Sequence, residues 1–340
     1  MTREINPEKL NEFVGKTVGD LGAALSAVLV VIGDKLGLFK AMADGAPVTP
    51  QDLAARTDTT ERYVREWLAA MAAAGYVSYD RAVQRYSLTP EQAEAFTNDE
   101  SPACVAGGFQ AMVAAMRAEP KITAAFKSGA GVGWHEHDPG LFCGTERFFR
   151  PGYNANLVSN WIPALNGVQE KLERGGKVAD VGCGHGASTV MMAKAFPRSI
   201  FHGFDYHLPS IETARQRAAE AGVADRVTFA VASAQAYPGT GYDLVACFDC
   251  LHDMGDPIGA AAHVLQTLDG DGSWLLVEPF AHDDVADNLN PVGRLFYSAS
   301  TMICTPASLA QDVGHGLGAQ AGEARLRDVV TRGGDRKSVV

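Results

Sequence analysis

The chain of 340 residues is 46% hydrophobic and 20% charged, with a net charge of −11. That fits two ordinary globular domains with a sizeable core. The acidic balance argues against a nucleic-acid-binding surface spread over the whole chain, though not against a local patch. The N-terminus, MTREINPEKLNE, is too polar for a signal peptide, and the longest apolar run, Leu21 to Ile32, is too short to span a bilayer. A cytoplasmic protein with no membrane partner is expected.

From about Pro7 to Asp44 apolar residues recur at helical spacing (Leu21, Leu25, Val28, Ile32, Leu36, Phe39), which predicts a helix buried all round, in a core or a dimer interface. Thr49 and Pro50 start a short helix, TPQDLAART. Thr59 or Thr60 starts a longer one that Gly75 ends, and YVSY and RYSL flank a polar turn at Asp80 and Arg81. Helix, turn, helix, hairpin predicts an N-terminal winged helix. Its charges cancel, with Arg56, Arg62, Arg65, Arg81 and Arg85 against Asp52, Asp58, Glu61, Glu66 and Asp80. A phosphate-contacting surface needs a positive excess, so no nucleic-acid partner is expected, and the domain is assigned to homodimerisation and to walling the active site.

Residues from about Glu91 to Gly175 read as helical, apart from the glycine-rich, aromatic stretch Gly129 to Tyr153, which predicts an irregular lid or pocket wall. Trp134, Phe149 and Tyr153 are candidate substrate-binding residues there. His135-x-His137 lacks companion ligands at a familiar spacing. Cys247 and Cys250 form a lone C-x-x-C in what reads as a buried strand end, and the other four cysteines are scattered. No metal site is therefore expected, and the cysteines suit a reducing compartment.

From Lys177 on, strands (VADVG, SIFHGFD, RVTFAVA, YDLVACFD, SWLLVEPF) alternate with helices starting near Ser188, Pro209, Ala234 and Pro257. This predicts a doubly wound, mostly parallel α/β sheet of Rossmann type, with its ligand at the carboxyl ends of the strands. Those ends carry Asp180, Asp205, Ser233, Asp249 with His252, and Glu278. At the centre is VADVGCGHG, Val178 to Gly186, in which Gly182, Gly184 and Gly186 permit positive φ and close approach to a ligand. The helix that follows aims free N–H groups and its positive dipole end at the same place. Gly182-x-Gly184-x-x-Ala187 also meets the looser dinucleotide fingerprint. A carboxylate at Asp180, however, would repel a pyrophosphate and attract the ammonium group of S-adenosylmethionine (SAM). Asp205 can accept both hydroxyls of a ribose and suits either ligand.

The motifs DVGCGHG, GFD and LHDMGDP, behind a winged helix, together resemble the class I SAM-dependent methyltransferases with an N-terminal winged-helix domain. That bacterial group is similar, at greater distance, to the plant small-molecule O-methyltransferases, and the resemblance covers nearly the whole chain. It implies SAM as cofactor, with Gly182, Gly184 and Gly186 under its methionine part, Asp180 at its amino group directly or through water, and Asp205 at its ribose. Many relatives hold adenine with an acid after the third strand; Ser233 or the backbone near Ala234 takes that place here, and Phe248 packs beside the cofactor. His252 matches the catalytic base of the plant enzymes and Glu278 the carboxylate that orients it. Their third acidic residue has no counterpart around Met302 to Thr305, where Cys304 stands. An imidazole with a pKa of about 6.5 suits proton removal from a hydroxyl, and positioning alone also drives transfer from an activated donor. The implied function is methyl transfer to a small-molecule acceptor at a hydroxyl. The rivals are a SAM-binding regulator that uses the winged helix and an NAD-dependent oxidoreductase that uses the same loop.

The predicted divisions are a winged-helix domain over 1–96, a helical connector and lid over 97–170, and a SAM-binding Rossmann-like domain over 171–334. After the fifth strand, PASLAQDVG and EARLRDVVTRGG read as helices. The last two strands of the family's sheet are expected to be truncated, leaving an unpaired edge, and 335–340 reads as a non-native tail.

Overall fold

The computed structural model describes residues 4–335, so the predicted tail, apart from Asp335, lies outside the described residues. The chain divides into two compact units, with Val113 ending the first and Ala114 beginning the second. The predicted connector is thus split: its first residues stay with the N-terminal unit, whose core includes Phe96 stacked on Phe39 at 4.5 Å and tilted towards Phe109.

In the first unit, helix Pro7–Lys35 is capped by the Asn6 side chain, which accepts from the backbone N–H groups of Glu8 and Lys9. The helix stops at Lys35 rather than running to Asp44, because Gly37 turns the chain with φ 70°. Burial all round is also corrected: only Ala27, Val30 and Gly33 are buried, while Leu21 and Leu25 are 69% and 70% exposed. The buried stripe packs on Trp67, whose indole N–H donates to the Leu29 carbonyl at 2.9 Å. Taken whole, this is the one helix among the described residues that is long and apolar enough to cross a membrane, by length and composition only. The winged helix follows as predicted. Helix Pro50–Thr57, with a Thr49–Asp52 capping box, leads to helix Glu61–Ala73 and then to the antiparallel hairpin of β1 (Ser78–Asp80) and β2 (Arg85–Ser87).

The second unit is built on a parallel sheet of β3 (Lys177–Val181), β4 (Ile200–Asp205), β5 (Val227–Val231), β6 (Tyr242–Phe248) and β7 (Leu268–Val277), in the order β5-β4-β3-β6-β7. The chain runs outward from β3 to β5, then returns to the other side of β3, so the order reverses between β3 and β6. Both central strands are buried almost throughout, which explains their near-continuous apolar sequences. Helices Ala187–Ala195, Leu208–Glu220 and Pro257–Thr267 stand near three of the predicted starts.

The fourth predicted helix, near Ala234, is absent. Its segment is short and broken by Pro238, Gly239 and Gly241, the glycines at φ 97° and 69°, and buried Tyr237 anchors it through a 2.6 Å hydroxyl contact with Thr267. The predicted lid is largely regular as well. Asp138 accepts from the Gly140 N–H at 2.8 Å and starts helix Pro139–Asn156. Past β7 come helices Pro291–Ala299, Thr305–Leu309 and Gly322–Arg332, the first unanticipated, and a π-helical turn, Ser300–Cys304. No further strand follows among the described residues.

Gly203 in β4 is where a side chain is least welcome: a Cβ there would lie 2.3 Å from the Phe229 ring and 3.0 Å from Cys183 Sγ. Gly203→Ala is expected to destabilise the C-terminal unit by about 1–3 kcal/mol. Urea unfolding monitored by tryptophan fluorescence checks this, and an unchanged midpoint would refute it.

Candidate active site

A cavity of about 780 Å³ opens at the carboxyl ends of the strands, where the sheet order reverses and ligands of open α/β sheets bind. Gly182, Gly184 and Gly186 have φ of 75°, 51° and 77°, as the spacing predicts. At Gly182 a Cβ would come within 2.7 Å of Cys250 Sγ, so the loop after β3 passes directly against the loop after β6. Gly182 lines the cavity. Gly184 instead turns its N–H to Asp205 Oδ2 at 2.9 Å, and Gly186 lies over Phe229 at the start of helix Ala187–Ala195. These two build the loop rather than the cavity wall.

Asp205 lines the cavity, and its other oxygen accepts from the His207 N–H at 2.8 Å. It therefore fixes the glycine loop and the entry to the next helix together. Asp180 does not itself line the cavity. It is buried behind the wall, where Oδ2 accepts from the Ser188 and Thr189 hydroxyls, each at 2.6 Å. Burial pushes its pKa up against those two hydrogen bonds, to about 6. Ser233, Ala234, Phe248, Trp134, Phe149 and Tyr153 all line the cavity.

His252 and Glu278 come together as predicted: Glu278 takes the imidazole Nδ1 on one oxygen and the Leu251 N–H, at 2.8 Å, on the other. The imidazole is only 4% exposed, however, and is not part of the cavity wall. It is also hydrogen-bonded to the thiol of Cys304, which packs on it at the point where the sequence offers no third acid. Burial alone would lower the His252 pKa, but Glu278 and Cys304 hold it well above the ordinary value. The neighbouring Asp253 does line the cavity, with its pKa raised by burial, against the pull of His252, to about 7.

Sequence reasoning passed over other wall residues. The sequence places Asp249 at a strand end, but not its partner: at φ 50° it accepts the Tyr153 hydroxyl at 2.7 Å, and burial raises its pKa to about 7 despite that bond. Glu146 meets Arg217 at 2.7 Å and His185 of the glycine loop at 3.7 Å. Burial raises its pKa, but hydrogen bonds from His185 and Arg217 and the charges of Arg217 and Arg150 outweigh this and hold it at about 2. His185 and Asp253 stand inside motifs already singled out. Glu146 carries no sequence signal, because only the folded helix brings it to the loop.

The wall thus carries six carboxylates, Glu146, Asp205, Asp249, Asp253, Asp256 and Asp312, and among the described residues no lysine or arginine. Such a wall accepts a cation and rejects a pyrophosphate. With the sheet order and the glycine loop, this is the chemistry of a class I SAM-dependent methyltransferase, and the residues present fit that cofactor.

Comparison with known proteins agrees. Residues 23–98 match the family model of the Rv2258c-like winged HTH domain, and residues 172–318 match a methyltransferase domain. The chain is 29% identical over 143 residues to 27-O-demethylrifamycin SV methyltransferase of Amycolatopsis mediterranei, a match that spans 42% of this chain and 44% of that relative. Its fold resembles that of the mitomycin 7-O-methyltransferase MmcR (TM-score 0.69, 19% identity, covering 96% of this chain and 93% of the other). It also resembles human N-acetylserotonin methyltransferase in complex with SAM (TM-score 0.69, 16% identity, 99% and 94%). The chain thus carries an N-terminal winged HTH domain and a methyltransferase domain, and its fold is that of the class I methyltransferases, although it spans less than half the length of the curated relative it matches.

Asp180 yields a pH prediction. A carboxyl whose pKa rises from 3.8 to about 6 on folding stabilises the fold below pH 3.8 relative to higher pH, and that contribution is lost as pH rises through about 6. The melting temperature of the wild type should therefore fall relative to that of Asp180→Asn between pH 4 and pH 7. Parallel melting curves of the two proteins across that range would show that Asp180 titrates normally.

Proposed function

We propose that the protein methylates a hydroxyl of a small-molecule acceptor. The observation that carries this reading is the acid-lined cavity at the β3–β6 switch point, without lysine or arginine and walled on one side by Trp134, Phe149 and Tyr153. SAM, when bound, supplies a methyl group on an already activated sulfonium. Asp205 offers carboxylate oxygens to ribose hydroxyls, Ser233 and the Ala234 backbone face the base, Phe248 packs beside it, and Asp180 braces the helix whose N-terminus meets the methionine end. The aromatic side chains exclude water and hold the acceptor. Its proton leaves at the group formed by Asp253, His252 and Glu278, in which Glu278 fixes the imidazole through Nδ1. The oxygen acceptor is favoured by this acid–base group and by the O-methyltransferase named among the curated relatives. The SAM-binding regulator has no comparable support, because the winged helix lacks the positive excess that DNA binding needs.

Calorimetry should give micromolar binding of SAM or S-adenosylhomocysteine and none of NAD. His252→Ala should keep that binding and lower methyl transfer by about a hundredfold or more. NAD binding without SAM binding would overturn the proposal, and unchanged turnover would remove His252 from the chemistry.

We also propose that the protein is a homodimer and works in the cytoplasm. Leu10, Val14, Val18, Leu21, Leu25, Val28 and Ile32 are exposed along helix Pro7–Lys35 at alternating three- and four-residue steps, apart from one pair of fours at the start. That seam suits a second helix of the same kind. Light scattering should report a dimer for the wild type and a monomer for Leu21→Glu combined with Leu25→Glu. A monomeric wild type would refute the pairing.

A further inference from the structure

We propose that Asp249, oriented by Tyr153, binds the α-ammonium group of SAM. The identity of the ligand rests on the methyltransferase reading. Sheet order narrows the place. With Asp205 at the ribose and Ser233 and Ala234 at the base, the nucleoside belongs to the ends of β4 and β5. The amino-acid part of the cofactor is left the ends of β3 and β6, where Gly182 and Asp249 line the cavity.

Elimination among the carboxylates leads to the same residue. Each oxygen of Asp205 already accepts a backbone N–H, from Gly184 or His207. Glu146 is engaged by Arg217 and His185. Asp256 caps helix Pro257–Thr267 by accepting from the Gly259 N–H at 2.8 Å, and Asp312 is exposed to solvent. Asp253 stands with His252 in the proton-handling group, and Asp180 does not line the cavity. Asp249 accepts from Tyr153 on Oδ2, and among the described residues no other hydrogen bond reaches its carboxylate. One oxygen is therefore left for a donor from outside. An ammonium group offers three N–H donors and a sulfonium none, so a carboxylate with a free oxygen selects the ammonium.

Asp249 is also fixed in place. Its N–H donates to the Val277 carbonyl at 2.8 Å. The next side chain, Cys250, donates through Sγ to the Val181 carbonyl at 3.2 Å, which ties Asp249 to the loop after β3. At Asp249 the left-handed φ of 50° bends the chain out of β6, a conformation that aspartate tolerates better than most residues and that collects at ligand sites. Burial raises the carboxyl pKa to about 7 against the Tyr153 hydrogen bond, with Glu278 and Asp253 adding to the rise and His252 opposing it. A cation against the free oxygen would favour the ionised form.

The test is calorimetry on the full chain with three ligands: SAM, S-adenosylhomocysteine, and methylthioadenosine, which keeps the nucleoside and lacks the amino-acid part. Asp249→Asn should weaken SAM and S-adenosylhomocysteine alike, by about 10–100-fold, and leave methylthioadenosine binding unchanged. Asparagine keeps the shape of the side chain and tolerates the left-handed backbone, and retained methylthioadenosine binding is itself the check that the variant folds. Equal loss of all three ligands would overturn the assignment. So would loss of SAM alone, which would put the carboxylate at the sulfonium, and so would no loss of any. A wild type that binds neither SAM nor S-adenosylhomocysteine would sink the methyltransferase reading; wild-type binding that Asp249→Asn retains in full sinks only the role of Asp249.

Discussion

Carboxylates taken out of water without a cation to meet them are the constraint around which the C-terminal unit is arranged. Moving such a group from water into a protein interior costs several kcal/mol unless partners replace the lost solvation. The chain settles some of these costs itself. Glu146 has Arg217 and His185, and Asp205 has two backbone N–H groups, one on each oxygen, whereas behind the wall Asp180 has two hydroxyls on Oδ2 and none on Oδ1. Asp249 has only the Tyr153 hydroxyl, and Asp253 leans on an imidazole that Glu278 already claims. Burial therefore leaves both near the neutral range. The contrast between settled and unsettled carboxylates marks where positive charge from outside belongs, and it points to the β6 side of the cavity.

Topology explains why that side is open at all. Because the chain leaves β3 towards β4 and later returns to β6 on the opposite side, the loops after β3 and β6 diverge above their shared strand pairing. Gly182 keeps the two loops in contact at their base. Asp205 and Asp249, at the ends of β4 and β6, both reach the cavity wall. The missing helix between β5 and β6 contributes to this, since residues 232–241 hug the sheet and leave Ser233 and Ala234 on the cavity wall.

Much of this was legible in the sequence for a physical reason. Strand burial, positive-φ glycines and terminal acids are local demands, and each leaves its residue type at a fixed place in the chain. The loop Val178 to Gly186 and Asp205 are legible in that way, whereas the pairing of His252 with Glu278 follows only from the resemblance to the plant O-methyltransferases. The errors came where the decisive contact was distant. The row Leu21 to Ile32 has core composition, yet Trp67 covers only the stripe that includes Gly33. The glycines of Gly129 to Tyr153 suggested irregularity, and Asp138 with Pro139 overrode them by starting a helix. Cys304 reads as a packing residue until the π-helical turn Ser300–Cys304 delivers it to His252.

That helix, Pro139–Asn156, also joins the two halves of the cavity. From one face it sends Glu146 to His185 in the loop after β3, and two turns later Tyr153 to Asp249 at the end of β6. The two contacts stand on opposite sides of the switch point, so the helix cannot shift against one without straining the other. Asp249 accepts its hydrogen bond from a left-handed backbone conformation, which an aspartate tolerates better than most residues but which still needs surrounding contacts to hold it. The Tyr153 hydroxyl is such a contact. Loss of this one bond would free a strained backbone immediately before the Cys250–Asp253 segment, on which the proton-handling group is mounted. Cofactor-side and acceptor-side geometry are therefore set by the same piece of chain.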